Sequence, residues 1–245
     1  MRAALAAGAG AAGAAAAWSL PALAPVVPTL ARALSVPTRS TLPGTVALTF
    51  DDGPHPQGTP AVLEALAAAG ARATFFLVGE QVQRSPGLAA EIAAAGHAIA
   101  LHGHRHRNLL RIPAGALARD LDRGAEVVAA ATGAAPRLHR PPYGIYSWTA
   151  LRAVRARGLT PVLWSRWGRD WRAGATPASI AAKVAAGVRD GDVLLLHDAD
   201  DYSAPGSWRA TAAALPRVLE AIGAAGLRVA PIARAQDVAP QPSGR

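Results

Sequence analysis

At 245 residues the chain accommodates one large domain or two small ones, and α/β barrels of this length commonly form a single domain. It has no cysteine, which excludes a disulfide scaffold, Cys-ligated zinc and a thiol nucleophile. A formal charge of +9 suits a polyanionic setting such as a cell wall, lipid head groups or nucleic acid. The basic residues are scattered without interleaved aromatics, so no nucleic-acid partner is expected.

The N-terminus differs in character from the rest. Arg2 is the only charge before Arg32, and an apolar stretch follows it, which reads as a signal peptide or membrane anchor over residues 1–36. Ala22–Ala24 has the small-x-small spacing of a cleavage site, but Pro25 follows it. Ala31–Ala33 is a second candidate. Residues 37–44 read as a linker, 45–235 as the folded domain and 236–245 as a tail. This leader places the protein outside the cytoplasm, secreted or anchored, with a cytoplasmic location as the alternative. Contact with a membrane is expected only through the leader, and a monomer is expected.

From residue 45 onward, apolar runs alternate with alanine-rich helical segments. Strands are predicted at 45–50, 73–78, 97–101, 137–140, 161–164, 192–197 and 227–232. Helices are predicted at about 59–69, 85–95, 113–132, 147–157, 177–188 and 208–225. Ser85-Pro86 and Thr176-Pro177 mark starts, while Gly70, Gly96, Gly158 and Gly226 mark ends. Strand–helix alternation with short connections predicts parallel strands, and about seven units favour a distorted (β/α) barrel over a doubly wound sheet.

Polar groups gather where such a barrel keeps its chemistry. Asp51, Asp52, His102, Arg140, Asp170 and His197 each stand at or just beyond the C-terminal end of a predicted strand. In 49-TFDDGP-54, two adjacent carboxylates end a buried apolar run, which is costly unless they meet a cation or hydrogen-bond donors. Side chains of neighbouring extended residues point opposite ways, so the two can do different work. In 101-LHGHRHRN-108, an extended backbone would put His102, His104 and His106 on one face. A helical turn would pair His102 with His106 and send His104 away. Two histidines and one carboxylate with open positions make a normal shell for a hydrolytic zinc or a similar divalent ion.

The succession TFDDGP, ATFFLVGE, GH-x-I-x-x-H-x-x-x-H-x-N-L, RPPYG, W-x(5)-DW and LLLHD resembles the polysaccharide deacetylase family. This is the NodB-homology domain of carbohydrate esterase family 4, and the resemblance covers about residues 45–232. It implies a metal-dependent hydrolase that removes acetyl groups from N-acetylated amino sugars of an envelope glycan, peptidoglycan or chitin-like. By the same resemblance Asp51 is the catalytic base, and Asp52, His102 and His106 are the metal ligands. Arg140 holds the base, Asp170 orients the general acid His197, and the Tyr143 backbone N–H helps form an oxyanion hole. Leu195 lines the acetyl pocket, and Trp164 and Trp171 are candidate sugar platforms. The implied cofactor is a divalent metal, zinc first, with cobalt, nickel or iron also compatible with the donor set. The implied partner is an acetylated glycan.

Two departures from the family pattern stand out. Gly103 replaces the usual Ser or Thr beside the first histidine, and Trp167 stands where many members have an Asp. Neither removes a ligand or a proton carrier. Two further readings remain open: an O-acetyl esterase on xylan or a wall polymer, and a catalytically weak glycan-binding protein of the same fold.

Overall fold

The computed structural model describes residues 16–241. Two sheets are present. A short antiparallel pair joins β1 (Arg39–Ser40) to β10 (Val238–Ala239). The main sheet is parallel throughout. Its strands are β2 (Thr45–Asp51), β3 (Thr74–Leu77), β4 (Ala98–Leu101), β5 (Leu138–His139), β6 (Thr160–Pro161), β7 (Arg166–Trp167) and β8 (Val193–His197), in the order β6-β5-β4-β3-β2-β8-β7. A short β9 (Arg228–Val229) pairs with the start of β2. Among the described residues no ladder joins β6 to β7, so the sheet curls into an incomplete barrel, as the strand–helix alternation predicts.

All seven residues of β2 and all four of β3 are buried, which is what parallel strands covered on both faces require. The outer layer is helical: α1 (Pro28–Ala33), α2 (Gly58–Ala68), α3 (Gly79–Arg84), α4 (Pro86–Ala94), α5 (Ala114–Thr132), α6 (Trp148–Arg155), α7 (Pro177–Ala185) and α8 (Ser207–Ala224). Helix α5 buries Leu117, Leu121, Gly124 and Val128 on one stripe, and Gly133 ends it in the left-handed conformation. Helix α7 starts with a reciprocal cap between Thr176 and Ser179 and has Pro177 in its first turn. Helix α8 packs on both α7 and α2.

Three features were not predicted. Helix α3 follows β3 directly, β7 is a separate two-residue strand, and the β1/β10 pair draws the segment before residue 45 and the residues after 235 onto the same body. The expected leader overlaps this body. Residues 1–15 of it lie outside the described residues, but Ala24, Ala31, Leu34 and Val36 are buried in the core. Arg155 Nη2 donates to the Leu34 carbonyl at 2.6 Å. Among the described residues, no helix is long and apolar enough to cross a membrane.

Candidate functional site

Parallel register brings the strand ends together. Asp51 on β2 is paired with His197 on β8, and Leu101 on β4 with His139 on β5, so the residues that follow converge on one rim. The backbone extends this register: His102 N–H donates to the Leu77 carbonyl and Arg140 N–H to the Leu101 carbonyl. A cleft of about 300 Å³ opens there, with Asp51, Asp52, His102 and His106 on one wall and Trp164, Trp167, Trp171, Leu195 and His197 on the other.

On the first wall, Asp52 adopts a positive φ of 82°, a strained conformation for a non-glycine residue and one that concentrates at functional sites. Its buried Oδ1 faces Nε2 of His102 at 3.3 Å and Nε2 of His106 at 3.2 Å, yet it has no hydrogen-bond partner. His102 Nδ1 lies 2.8 Å from the Arg140 carbonyl, which can only accept. Nδ1 therefore carries the proton, and in the neutral ring Nε2 turns a lone pair toward the carboxylate. Lone pairs aimed at one another in a buried space are what a cation between them relieves. The three donor atoms lie within 4.8 Å of one another and suit a divalent ion of the zinc type. Where the two imidazoles are protonated, they and His197 across the cleft outweigh the upward push of burial and hold the Asp52 carboxyl well below the usual carboxylate range.

The histidine segment takes neither of the two local forms expected from its spacing. Residues 102–108 form an irregular loop that reverses at Gly103, whose φ is +89°. This reversal, rather than a helical turn, brings His106 back beside His102, with ring centroids 5.3 Å apart. His104 turns away and packs on α3, where a Cβ at Gly79 would stand 2.6 Å from its Nδ1. The loop is braced from outside. Two N–H groups of the first turn of α3, at Gly79 and Glu80, donate to the Gly103 and His104 carbonyls at 2.9 Å. Buried Asp120 on α5 accepts from the His104 N–H at 2.9 Å and from Arg107 at 2.7 Å.

His106 is held differently from His102. Its Nδ1 is buried without a protein partner. The ring instead stacks on Tyr202 (4.1 Å, 9° between planes) and meets the edge of Tyr143 at 4.5 Å. The Tyr202 hydroxyl is tied to Glu80 at 3.0 Å and to Gln81 at 3.1 Å, which links this roof to α3. Nothing in the sequence marks Tyr202, because it reaches the site from a loop after β8.

Asp51 stands beside this group. Arg140, fully buried, donates from Nη1 to Asp51 Oδ1 at 2.7 Å and to the Thr49 hydroxyl at 2.8 Å, and its guanidinium lies over the Phe76 ring. Tyr143, in the RPPYG turn, has a φ of 60° and exposes its side chain at the cleft mouth.

On the second wall, Asp170 is fully buried and accepts three bonds: from His197 Nδ1 at 3.0 Å, from the His197 N–H at 2.7 Å and from the Thr211 hydroxyl at 2.8 Å. Burial opposes a charge on His197. The Asp170 carboxylate outweighs it, with smaller help from Asp52 and Asp51, and the pKa is raised to about 10. Trp164, Trp167 and Trp171 run side by side at 5.6 and 5.4 Å, and Trp171 meets the His197 ring at 5.4 Å. Leu195 is buried at the cleft floor, and Trp164 is buried as well, so only part of that ring is available to a ligand. Trp167 is thus the middle member of an aromatic wall.

A second group, His55 with Asp200 and Asp201, also has metal-ligand chemistry. Here His55 Nδ1 accepts from the Gln57 and Gly58 N–H groups, so Nε2 carries the proton and faces Asp200 Oδ1 at 3.2 Å. That tautomer leaves no lone pair for a cation.

Residues 38–162 match the family model described as polysaccharide deacetylase. The match includes Asp51, Asp52, His102, His106, Arg140 and Tyr143, and ends before Asp170 and His197. A chitooligosaccharide deacetylase of Sinorhizobium fredii is 37% identical over 194 residues, covering 77% of this chain and 90% of its own. A peptidoglycan-N-acetylglucosamine deacetylase of Bacillus cereus is 35% identical over 185 residues, covering 75% and 84%. The solved structure of a family 4 carbohydrate esterase from Streptomyces lividans, in complex with acetate, superimposes with a TM-score of 0.71 at 32% identity, over 82% of this chain and 98% of that one.

Proposed function

The chain belongs to the polysaccharide deacetylase family, and from that premise we propose that it hydrolyses the acetamide of N-acetylated amino sugars in an envelope glycan, peptidoglycan or chitin-like. The observation that carries this reading is the pairing of Asp51 with His197 across adjacent strand ends. An anionic proton acceptor and a cationic proton donor face the same cleft. Amide hydrolysis needs both, because water must lose a proton and the amine must gain one before it leaves.

Asp51 takes the proton from the attacking water. Arg140 holds Asp51 Oδ1, which orients the carboxylate and leaves Oδ2 for the proton. Asp52, His102 and His106 would hold a divalent ion, zinc first, with cobalt, nickel or iron compatible with the same donors. Such an ion supplies Lewis-acid polarisation of the carbonyl and a water of lowered pKa. The Tyr143 backbone N–H adds a donor to the developing oxyanion. With a pKa of about 10, His197 is protonated at neutral pH and gives its proton to the leaving amine, while Asp170 on Nδ1 keeps Nε2 as the donating atom. Leu195 packs on the acetyl methyl, and the tryptophan wall receives the sugar face.

The enzyme acts as a monomer outside the cytoplasm, directed there by a leader within residues 1–36. Deacetylation leaves a free amine on the glycan, so the test is acetate release from N-acetylated chitooligosaccharides and peptidoglycan fragments, compared with acetylxylan. Release from the N-acetylated substrates supports the proposal. Release only from acetylxylan would turn it into an O-acetyl esterase, and binding without release would make it a glycan-binding protein.

A further inference from the structure

The large hydrophobic side chains exposed among the described residues are Leu20, Leu23, Val26, Val27, Tyr143 and Trp148. They fall on one side of the molecule. Four belong to the segment before α1, and two to the stretch from the RPPYG turn to the start of α6. The two pieces touch: Trp18 Nε1 donates to the Thr149 hydroxyl at 3.0 Å, and a Cβ on Gly144 would stand 3.1 Å from Pro25 Cγ. Gly144 and Tyr143 also line the cleft, so the apolar face borders its mouth. Isolated exposed apolar residues are ordinary, but a set gathered in one place marks an interaction surface.

The chain segments around this face carry charge of one sign, with Asp122 of α5 paired to Arg157 at its edge. Residues 16–36, 102–112 and 137–157 contain no Asp or Glu, and Arg32, Arg105, Arg111 and Arg152 are exposed there. A second copy meeting this face would set arginines against arginines. A bilayer with anionic head groups satisfies both halves of the pattern. Aliphatic side chains enter the acyl boundary, a tryptophan sits at the interface and arginines meet lipid phosphate.

We infer that the face built from residues 18–27 and 143–152 docks on an anionic lipid surface and holds the cleft mouth against it. This goes beyond an N-terminal tether, because the folded body itself supplies part of the surface. It is also independent of which bond the cleft hydrolyses.

The test is co-sedimentation of the full chain with equimolar phosphatidylglycerol–phosphatidylcholine vesicles and with phosphatidylcholine alone. Wild type should bind the anionic vesicles more tightly. The combined Leu23→Ser, Val26→Ser and Trp148→Ser variant should bind them ~10-fold or more weakly. Arg111→Glu with Arg152→Glu should cost about 10-fold on anionic vesicles and little on neutral ones. Thermal unfolding and the sedimentation coefficient are measured alongside, and if the apolar variant unfolds, the charge-reversal pair decides alone. Wild-type binding by a folded apolar variant, or by the arginine pair, overturns the inference. So does a wild-type dimer that the apolar variant converts to monomer with vesicle binding unchanged.

Discussion

The two walls of the cleft hold their histidines by opposite means. On the β8 wall, His197 is fixed by hydrogen bonds to a buried carboxylate that itself accepts from three donors. The site favours the charged ring, and its pKa is raised to about 10. On the β2–β4 wall, His102 is fixed through a carbonyl and His106 by aromatic faces alone, with Nε2 of both rings turned to Asp52. One wall is built to keep a proton and the other to keep lone pairs free. A single imidazole chemistry thus becomes acid or ligand according to what stands behind the ring.

The contrast can be broken in graded steps. The largest expected effect is on Asp51→Asn, which removes the proton acceptor and should lower kcat by ~10²–10⁴-fold with bound metal unchanged. Steady-state acetate release together with elemental analysis checks both halves. Next, His106→Ala should lose most of its metal on dialysis, while His104→Ala retains it. Metal loss from the His104 variant would mean that all three histidines act as ligands.

The proton-keeping wall is tested by Asp170→Asn. His197 should then titrate much closer to the ~6.5 of a free imidazole. Wild-type activity should persist until pH rises through about 10, and the variant should lose activity well below that, as a full pH–rate profile will show. Stability should follow the same sign. The raised folded pKa contributes stability that is complete below ~6.5 and is lost as pH rises through about 10, so wild type should weaken over that window more than the variant does.

The aromatic hold on His106 makes a smaller prediction. Tyr202→Phe should keep metal affinity, whereas Tyr202→Ala should weaken it by ~10-fold in a chelator competition, in the range known for groups that support a ligand. An Ala variant with wild-type affinity would show that the stack does not position the ring. The smallest effect concerns Gly103. A Ser there must adopt φ near +89° with its Cβ 3.3 Å from the Asp120 carboxylate and from the Arg105 carbonyl. Gly103→Ser should cost about 1–3 kcal/mol of unfolding free energy, read by denaturant titration.

Gly103 also shows where reading the sequence alone stops short. Its lack of a hydroxyl marks a loop that must be braced some other way, and the brace proves to be Asp120 and the first turn of α3. Neither announces itself, because Asp120 sits within an ordinary amphipathic helix and α3 is only six residues long. Tyr202 is hidden for the same reason. The apolar N-terminal segment shows a second limit: its composition fits a leader throughout, and residues from Ala24 to Val36 also supply side chains to the core. An alanine-rich apolar run suits a bilayer and a protein interior equally well, and composition cannot separate them.

Local physics was enough for the rest. Hydrophobic runs of strand length, glycine and proline punctuation and the 3.6-residue stripe of α5 are short-range properties, and they locate β2 to β6, β8 and β9, the main helices and the polar residues at strand ends. Tertiary structure alone decided which of those residues meet. The match of Asp51 to His197 depends on the register of β2 with β8, strands separated by more than a hundred residues of chain. The fate of each histidine depends on groups delivered by other elements: a carbonyl after β5, a carboxylate before α7, a tyrosine after β8. A side chain's charge and tautomer are set by what it touches in space, and the order of residues along the chain does not record those contacts.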